Sequence, residues 1–512
     1  MNPVSFERVG AGGDRTALMA QARLLAEHGV RIHSIDEERG LLVRSDEAGR
    51  ARAVLDTAGG STDRPAGSDR AGDGTAAAGG GPEGGEAIAV RPLDRPIDAT
   101  VAIPGSKSHT NRALVCAALA QGRSRLTRVL VADDTEAMME ALTTLGATVT
   151  LDRHRGVADV DGGLRAADQA ADDRLAVGVR QSGTTGRFLL PVLAATPGRF
   201  LLDGHAQLRA RPFGPQVEAL RRIGATIDAD RLPMSIDGHL LDGADVEVAA
   251  DVSSQFLSGL LLAAPLFRSR SSLTVRGPMV SRPYVELTTA TMAAFGVMVD
   301  RADDEGAVTY RVPDVGYTPG EVELEPDASA ASYFFAMAAI TGGRVRVEGL
   351  GSDTVQGDLE FVELLGAMGA DVEIDHDATE VRGTGRLRGI DVDLADLSDT
   401  AQTLAVVATF ADGPTTMRGI GFIRHKEIDR IAGVVNELTR RGIDATETDD
   451  GMVVRPGVPT PGRVETHDDH RMAMSFALLG LVHPGIEIAD PGCVAKTFPD
   501  YFDRLDALRA ES

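Results

Sequence analysis

The feature of this chain that most constrains its fold is a repeated join between a helix and a strand. A helix-like stretch, a glycine and a strand-like stretch follow one another at Gly146, Gly224, Gly296, Gly369 and Gly442, at intervals of 72 to 78 residues. Each glycine stands where a helix C-cap needs a left-handed backbone. A sixth helix-like stretch, YFDRLDALRA, falls close to the next expected place. Five copies at near-constant spacing disfavour chance recurrence and predict about six α/β units of similar size.

The length of the chain predicts that these units are divided between two cores. A chain of 512 residues is too long for one ordinary hydrophobic core, and two domains of three units each suit the limit on core size. Residues 58–87 are dominated by Gly, Ala, Ser, Pro and Asp. Such a segment cannot offset its ordering entropy, which predicts a flexible linker. The linker separates a small N-terminal unit, residues 1–57, from the repeats.

Charge and composition exclude several classes of function. The formal net charge of -24 argues against general binding to nucleic acid or to anionic membranes, although a small anionic ligand needs only a local cationic pocket. The longest apolar run, residues 256–267, is too short to span a bilayer, and we expect no signal sequence. With only Cys116 and Cys493, we expect neither a disulfide framework nor a metal site, and we predict a cytoplasmic protein.

Lysine is the most informative residue type in the chain. Of the 52 Lys and Arg residues only Lys107, Lys426 and Lys496 are lysines. On a solvated surface either residue serves, but burial can lower the pKa of a lysine, whereas arginine keeps its proton at working pH. A site that needs a proton donor, or a point charge against a phosphate, should therefore retain lysine. Each lysine taken alone also fits a solvated position, but the three together favour a functional site.

The stretches around two of the lysines carry anion-binding patterns. PGSKSHTNR places Lys107, Ser108 and Arg112 at the start of a helix-like run, where backbone N–H groups and cationic side chains favour an anion. A serine N-cap beside solvated charges is the alternative. RHKEIDR places Lys426 and Arg430 at i, i+4, as neighbours on a helix, and a charged helix face is the alternative there.

Three further clusters are polar. QSGTTGR, residues 181–187, is a turn that can wrap an anion with backbone amides, although one such turn is weak support. DVSSQF sets three hydrogen-bonding residues side by side, as a sugar-like ligand would need or as a helix cap with solvated neighbours would show. HDDHR would bind a metal only with a converging geometry. We expect instead that Asp469 or His470 orients Arg471.

Together these stretches resemble the family of 5-enolpyruvylshikimate-3-phosphate synthases, from about residue 88 to residue 508. The resemblance implies an α/β (α+β) fold, a two-domain inside-out α/β barrel of six βαβαββ units. It places domain one at residues 88–105 and 325–512 and domain two at residues 106–324. It rests on nine stretches in the family's order: PGSKSHTNRAL, SGTTGR, LRARP, SSQFLSGLL, SRPY, EPDASAASYF, HKEIDR, DDHRMAMSF and AKTFPDYF.

The resemblance also implies a reaction. The family transfers the enolpyruvyl group of phosphoenolpyruvate to the 5-hydroxyl of shikimate 3-phosphate and releases phosphate, a step toward chorismate and the aromatic amino acids. No metal or organic cofactor is implied. The partners implied are these two small substrates, with no nucleic acid and no membrane. We expect a monomer, with pairing through the N-terminal unit as an alternative.

Roles of single residues follow from the same resemblance. Asp399, in DLSDTAQTLAV, is implied as the proton acceptor, and Asp327 is a rival that matches a different family segment. Glu427 and Lys496 are implied as acid partners at the methylene carbon, with Lys107 as a further catalytic residue. The residues implied at shikimate 3-phosphate are Lys107, Ser108, Arg112, Ser253, Ser254, Gln255, Ser281, Asp399 and Lys426. Those implied at phosphoenolpyruvate are Lys107, Gly183, Arg211, Arg430, Arg471 and Lys496.

Three departures leave alternatives open. Phe422 stands where the family commonly has a polar residue that touches the shikimate ligand, Gln181 replaces an asparagine and Gly186 replaces a methionine. A related acceptor in a specialised pathway is therefore one alternative. UDP-N-acetylglucosamine carboxyvinyltransferase shares the fold and the donor, but it has asparagine after the lysine, where this chain has Ser108. A non-catalytic metabolite sensor is the third alternative.

The N-terminal unit, residues 1–57, has the pattern strand, helix, strand, strand, helix. Leu18, Ala22, Leu25 and Val30 fit one buried face. The pattern resembles a truncated ACT domain similar to those of aspartate kinases, which implies amino-acid binding, often across a dimer. A packing module without a ligand is the alternative.

Overall fold

The computed structural model describes residues 86–511, apart from residues 165–172 and 305, and three strands nearer the N-terminus. The chain divides into two compact units, residues 1–81 and residues 82–512. Each unit has its own sheets.

In the first unit the described strands are β1 (Phe6–Val9), β2 (Ile32–Asp36) and β3 (Gly40–Arg44). They form an antiparallel sheet in the order β1-β3-β2. The helices predicted for this unit, and residues 58–85 of the predicted linker, lie outside the described residues. The likeness of the unit to an ACT domain stays a prediction.

The second unit alternates strands and helices along the chain. Its strands are β4 (Ala87–Val90), β5 (Asp98–Thr100), β6 (Arg123–Thr127), β7 (Thr148–Asp152), β8 (Val157–Asp161), β9 (Leu175–Gly178), β10 (Gly198–Asp203), β11 (Thr226–Ile227), β12 (Met234–Gly238), β13 (Asp245–Glu247), β14 (Ser271–Arg276), β15 (Asp300–Asp304), β16 (Ala307–Val312), β17 (Glu321–Glu323), β18 (Arg344–Glu348), β19 (Asp371–Ile374), β20 (Ala378–Arg382), β21 (Asp391–Asp393), β22 (Thr415–Arg418), β23 (Ala445–Glu447), β24 (Met452–Val454), β25 (Gly462–Val464) and β26 (Ile486–Ala489). Its helices are α1 (Lys107–Leu119), α2 (Asp133–Thr144), α3 (Gly183–Ala195), α4 (Ala206–Arg209), α5 (Gly214–Arg222), α6 (Ser254–Ala263), α7 (Pro283–Ala294), α8 (Ala328–Thr341), α9 (Phe361–Met368), α10 (Ala401–Ala408), α11 (Arg430–Arg440), α12 (His470–Gly480) and α13 (Tyr501–Glu511).

These strands form six small sheets, which confirms the predicted repeat. The sheets have the orders β17-β6-β8-β7, β11-β12-β10-β9, β13-β14-β16-β15, β19-β20-β18-β5, β21-β22-β24-β23 and β25-β26-β4. In the sheet that contains β9 to β12, the chain runs β9-α3-β10-α4-α5-β11-β12. β9 and β10 are parallel, and the other neighbouring strands are antiparallel. The five repeat glycines all have the predicted left-handed backbone: Gly146, Gly224, Gly296, Gly369 and Gly442 have φ of 99°, 96°, 84°, 115° and 78°.

Two hydrophobic cores lie within this unit. One core collects buried residues from Ala113 to Leu324, and we call the part of the chain around it the middle lobe. The other core combines buried residues between Val90 and Ile103 with those from Ala328 to Leu505, and we call this part the terminal lobe. The mixed α/β class predicted from the sequence is confirmed, whereas the predicted residue bounds of the two domains stay a prediction.

The two connections between the lobes run side by side. Gly105 and Pro326 form an antiparallel bridge. The backbone N–H of Ser106 donates to the carbonyl of Glu325 at 2.9 Å, and that of Asp327 donates to the carbonyl of Pro104 at 2.9 Å. The chain therefore leaves the terminal lobe and returns to it at one place, which lies directly before Lys107.

Gly105 permits a close approach at this connection, and its replacement should destabilise the fold. A Cβ added to Gly105 would lie 1.8 Å from the carbonyl oxygen of Arg128. We expect Gly105→Ala to lower the free energy of unfolding by about 1–3 kcal/mol, as overpacking does elsewhere, measured by urea unfolding. Gly214→Ala is the control, because no atom lies within 4 Å of its added Cβ, and it should change stability by less than about 0.5 kcal/mol. Equal stability of the two variants would contradict this explanation.

Candidate active site

Many of the predicted site residues lie in the first turn of a helix with a polar N-cap. The side chains of Ser106, Ser182, Ser253, Asp429 and Asp469 cap α1, α3, α6, α11 and α12 by accepting hydrogen bonds from backbone N–H groups. Serine and aspartate favour this position, so the local sequence begins each helix there. Unpaired N–H groups and the helix dipole favour an anion at such ends. The predicted site residues in these first turns are Lys107, Ser108, Gly183, Ser254, Gln255, Arg430 and Arg471.

A polar cavity lies between the lobes, and we call it the central cavity. Hydroxyl, amide and cationic side chains dominate its wall, with the rings of Tyr284 and Phe422 among them. The middle and terminal lobes both contribute. The lining residues are Lys107, Ser108, Arg112, Thr184, Ser253, Ser254, Gln255, Ser281, Tyr284, Asp399, Phe422 and Lys426.

Asp399 is the carboxylate that faces the central cavity. It lies on a short 3₁₀ turn, Ser398–Thr400. Its Oδ2 accepts from Arg471 Nη2 at 2.7 Å, while its Oδ1 is 3.2 Å from Arg430 Nη1 and 3.8 Å from Lys426 Nζ. Burial alone would raise the pKa of Asp399, but Arg471, Lys426 and Arg430 outweigh burial and hold the pKa well below its usual value. Asp399 is therefore ionised and able to accept a proton.

Glu427 is a second ionised carboxylate, and it shares Arg430 with Asp399. Its Oε2 accepts from Arg430 Nη2 at 2.9 Å, and its Oε1 is 3.5 Å from Arg211 Nη1. Burial raises the pKa of Glu427, but Arg430 and Arg211, with a smaller contribution from Lys496, hold it well below its usual value. Arg430 is thus shared between Asp399 and Glu427 and fixes the distance between them.

Asp469 orients a different arginine from the one that the sequence predicts. Its carboxylate accepts from Arg430 Nε at 2.8 Å, whereas for Arg471 it accepts only from the backbone N–H, as the N-cap of α12. The predicted partner, the Arg471 guanidinium, donates to Asp399 instead. Asp469 therefore positions Arg430, because its side chain reaches the neighbouring helix start and its cap bond involves only the backbone.

Two of the three lysines meet at one buried carboxylate that the sequence analysis did not identify. Asp134, 3% exposed, lies 2.8 Å from Lys496 Nζ and 3.5 Å from Lys107 Nζ. Lys496 also donates to the carbonyl of Gln181 at 3.1 Å. Burial alone would raise the pKa of Asp134, but Lys496 and Lys107 outweigh burial and lower it. Burial alone would lower the pKa of Lys496, but Asp134 and Glu427 raise it, so Lys496 keeps its proton.

The third lysine, Lys426, is less firmly charged. Burial, which is the largest effect, lowers its pKa to about 8 against the opposing attraction of Asp399. Its Nζ lies 5.9 Å from the centre of the Phe422 ring. The lysine that touches the central cavity from the terminal lobe therefore loses charge within the range of ordinary assay pH.

Two further predicted site residues, Arg112 and Gln255, already make hydrogen bonds within the protein. Arg112, 1% exposed, donates to Thr288, to the carbonyl of Ser108 and to the carbonyl of Tyr284 at 2.7 to 2.9 Å, so most of its donors serve the protein. Gln255 accepts from Arg187 at 2.7 Å. The structure brings every predicted site residue into this one region, although their binding roles stay predictions.

Ser281 and Gly183 depend on backbone geometry. Ser281 has φ of 52°, and its N–H donates to Ala395 in the terminal lobe at 2.9 Å. A Cβ at Gly183 would lie 2.8 Å from Arg211 Nη1, so glycine lets this arginine reach the start of α3. Both residues therefore shape the site through the backbone as well as through any ligand contact.

Tyr284 belongs to the motif SRPY, from which no role was predicted for it, and it lies in the wall of the central cavity. Its hydroxyl donates toward Asp399 Oδ2 at 3.3 Å and to Asp358 Oδ2 at 2.8 Å. Asp134 and Asp358 carried no motif signal, because a single aspartate at a helix start usually serves as part of an acidic first turn. Their roles depend on contacts between distant parts of the chain.

Two general properties of the described residues accompany this geometry. Across residues 86–511 and the three N-terminal strands, gaps excepted, no group of three or more His, Cys, Asp or Glu side chains has the arrangement of a metal site. No helix in the described part of the chain is long and apolar enough to span a membrane.

The fold is shared with two solved enzymes. The EPSP synthase from Acinetobacter baumannii is similar with a TM-score of 0.68 and 27% identity, covering 82% of this chain and 97% of that one. The enolpyruvyl transferase NikO from Streptomyces tendae is similar in fold alone, with a TM-score of 0.67 and 19% identity over 83% of this chain and 98% of its own. These two likenesses define the fold class of the chain, which is that of the EPSP synthase from Acinetobacter baumannii and of NikO.

The sequence comparisons narrow this class to one family. The family model of EPSP synthase (3-phosphoshikimate 1-carboxyvinyltransferase) matches residues 92–505. The 3-phosphoshikimate 1-carboxyvinyltransferase of Nostoc sp. is 44% identical over 82% of this chain and 99% of its own length. That of Aliivibrio salmonicida is 39% identical over 83% and 99%. The chain belongs to the EPSP synthase family, which confirms the resemblance seen in its motifs.

Proposed function

We propose that this chain transfers the enolpyruvyl group of phosphoenolpyruvate to the 5-hydroxyl of shikimate 3-phosphate and releases phosphate. The observation that carries the proposal is Asp399, an ionised carboxylate that faces a hydroxyl-lined cavity and is held by Arg471, Lys426 and Arg430. Such a group can accept a proton from an alcohol, and the cations around it favour a polyanionic ligand. The names of the relatives supply the substrates.

The proposed reaction begins with the acceptor alcohol. Asp399 takes the proton of the 5-hydroxyl while the oxygen attacks C2 of phosphoenolpyruvate, and an acid adds a proton to the methylene carbon, C3. The resulting tetrahedral species then loses one proton from C3 as the bond from C2 to the phosphate oxygen breaks. The double bond is restored, and phosphate leaves with the proton that balances its charge.

The electrostatics favour Lys496 as the acid in the unliganded site. Lys496 keeps its proton because Asp134 and Glu427 raise its pKa. Glu427 has lost its carboxyl proton, because Arg430 and Arg211 lower its pKa. The first protonation is therefore assigned to Lys496.

Binding roles divide between the two ends of the cleft. The residues proposed at the acceptor all line the central cavity: Lys107, Ser108, Arg112, Ser253, Ser254, Gln255, Ser281 and Lys426. The residues proposed at the donor are Gly183, Arg211, Arg430, Arg471 and Lys496. No cofactor is proposed. A related acceptor is the second candidate, and it is favoured by Phe422, whose ring adds an apolar surface to an otherwise polar wall.

Release of phosphate tests the proposal. The purified full-length chain is incubated with phosphoenolpyruvate and shikimate 3-phosphate, with either substrate omitted as a control and with UDP-N-acetylglucosamine as the competing acceptor. Phosphate release that needs shikimate 3-phosphate is expected. Release with UDP-N-acetylglucosamine alone, or saturable binding of both substrates without turnover, would overturn the proposal in favour of the other transferase or of a sensor.

The lowered pKa of Lys426 predicts that the enzyme binds its phosphorylated acceptor less well at alkaline pH. Only the charged ammonium attracts a phosphate, and a pKa lowered to about 8 means that this charge is complete well below pH 8 and lost above it. We expect kcat/KM for shikimate 3-phosphate to fall above pH 8, since kcat/KM reports the free enzyme. In Lys426→Arg the fall in kcat/KM should move to higher pH, even if the highest value of kcat/KM is lower than in the natural chain. A limit that stays at pH 8 in this variant would assign it to another group.

We also propose a cytoplasmic, monomeric enzyme. The free thiols of Cys116 and Cys493 support a reducing compartment. Light scattering on the purified chain tests the monomer, and a dimer would point to pairing through residues 1–57.

A further inference from the structure

A second, small cavity adjoins the central cavity, and we call it the rear cavity. It is lined by Ser106, Ser108, Pro283, Tyr284, Leu287, Ser329, Gln356, Gly357 and Asp358. It shares Pro283, Gln356 and Gly357 with a large open cleft on the outside of the lobes. Tyr284 lines both the central and the rear cavity, so its side chain stands in the wall between them.

Asp358 is a buried carboxyl on the rear side of this wall. It is 4% exposed, and its Oδ2 accepts from the Tyr284 hydroxyl at 2.8 Å and from the Ser329 hydroxyl. Its Oδ1 is buried and has no hydrogen-bond partner. A buried ionised carboxylate normally has both oxygens satisfied, so the unpartnered oxygen fits a group that carries a proton for part of the time.

The Tyr284 hydroxyl connects Asp358 to Asp399. It has one proton and two carboxylate neighbours, at 2.8 Å in Asp358 and 3.3 Å in Asp399. When Asp358 is ionised, Tyr284 donates to the nearer oxygen, and Asp399 is left without this bond. When Asp358 is protonated, it no longer competes equally for the Tyr284 proton, and Tyr284 donates to Asp399. A carboxylate that accepts one more hydrogen bond is a weaker base.

We propose that Asp358, acting through Tyr284, is a positioning residue that sets the basicity of Asp399. This inference rests on the proposed function, because Asp399 is the base there. Ionisation of Asp358 releases Asp399 from the tyrosine and adds a negative charge behind it, and both effects strengthen the base. Protonation of Asp358 reverses both. The rear cavity lies on the side from which Asp358 exchanges its proton.

The charges around Asp358 support titration in a useful range. Burial, which is the largest effect, and the charge of Asp399 raise the pKa of Asp358 to about 6, against the opposing effect of Arg471. Burial and the two carboxylates raise the pKa of Tyr284 well above its usual value, so the tyrosine keeps its proton. The titratable and charged groups that face Asp358 are thus Tyr284 from α7, Asp399 before α10 and Arg471 from α12. Two neighbouring carboxyls with pKa values pushed apart are a recurrent arrangement in acid–base sites.

The test is the pH profile of kcat at saturating substrates. In the natural chain we expect kcat to rise by about 3- to 10-fold as Asp358 ionises, at or above pH 6 because bound anionic substrates raise its pKa further. Asp358→Asn should remove this step and hold kcat at the lower level, with both KM values within about twofold. Tyr284→Phe should reduce the step, because only the direct effect of the Asp358 charge then remains. The double variant should be no worse than the poorer single one, since the two residues act as a unit. Asp371→Asn, an exposed carboxylate on β19, is the control and should keep the step.

A second measurement does not need turnover. Infrared titration should show a protonated-carboxyl band in the natural chain that disappears near pH 6 and is absent from Asp358→Asn. If this variant does not fold, the same titration on the natural chain and on Tyr284→Phe decides, because loss of the tyrosine bond should shift the midpoint. The inference would be overturned by a kcat step that is unchanged in both variants. It would also be overturned by losses of kcat that add in the double variant, or by the absence of the protonated-carboxyl band. A natural chain that shows the band but no turnover with shikimate 3-phosphate would refute the proposed function instead.

Discussion

Asp399→Asn is expected to lower kcat by about 10²- to 10⁴-fold, the range that removal of a general base produces. Asparagine has nearly the same shape but cannot accept the proton of the 5-hydroxyl. The KM values should not rise, because the change leaves Arg471, Arg430 and Lys426 with less opposing charge and therefore more attraction for anionic substrates. The measurement is steady-state phosphate release, with the unfolding temperature checked in parallel.

Two variants make this result specific. Asp391→Asn removes an exposed carboxylate that pairs with Arg418 on the surface, and it should leave kcat unchanged. Asp327→Asn tests the rival aspartate. Asp327 accepts from the backbone N–H of Lys107 at Oδ2 and from that of Ala330 at Oδ1. An asparagine has one accepting oxygen and loses one of these bonds, so we expect a loss of kcat, but a smaller one than in Asp399→Asn. A larger loss in Asp327→Asn than in Asp399→Asn would move the role of base to Asp327.

Lys496→Arg is expected to lower kcat by at least about 100-fold, although it conserves the charge. Lys496 is 5% exposed, and its compact ammonium fits between Asp134 and the carbonyl of Gln181. A guanidinium is larger and planar and does not release its proton at working pH. The arginine variant should therefore still bind phosphoenolpyruvate, measured by equilibrium titration, while the chemical step in a single turnover is slow.

The control for this variant is a charge-conserving exchange on the surface. Arg123, whose side chain is 69% exposed beside Asp159, can be changed to lysine without a measurable effect on kcat. Near-normal turnover in Lys496→Arg would show that the site needs only a positive charge at this position. The acid role would then pass to Glu427, whose replacement by glutamine would become the decisive variant.

The repeat was predictable because helix ends obey local chemistry. A glycine in the left-handed region at the end of a helix is required by two or three neighbouring residues, so Gly146 and its four counterparts marked the units correctly. The serine and aspartate N-caps also depend on local chemistry, because each accepts a hydrogen bond from a backbone N–H two or three residues further along the chain. The distribution of lysine also pointed to the site, since Lys107 and Lys496 both lie beside the buried Asp134.

Contacts between distant segments were not predictable from one sequence. Asp134 and Lys496 are 362 positions apart in the sequence, and no pattern in either stretch predicts their contact. Asp358 reaches Tyr284 from the other lobe in the same way. The partner of Asp469 was predicted wrongly, because its nearest arginine in the sequence, Arg471, points its guanidinium to Asp399. Local chemistry thus specified the elements and the residue types of the site, while the fold specified the pairs.

The neighbouring connections at Gly105 and Pro326 have a consequence for how the enzyme can be taken apart. The middle lobe is one uninterrupted stretch of chain whose two ends emerge beside each other, about 5 Å apart in an antiparallel bridge. It is in effect a cassette inserted into the terminal lobe. The two halves should be separable into independently expressed fragments, and reassembly of such fragments would report directly on how strongly the lobes attract each other.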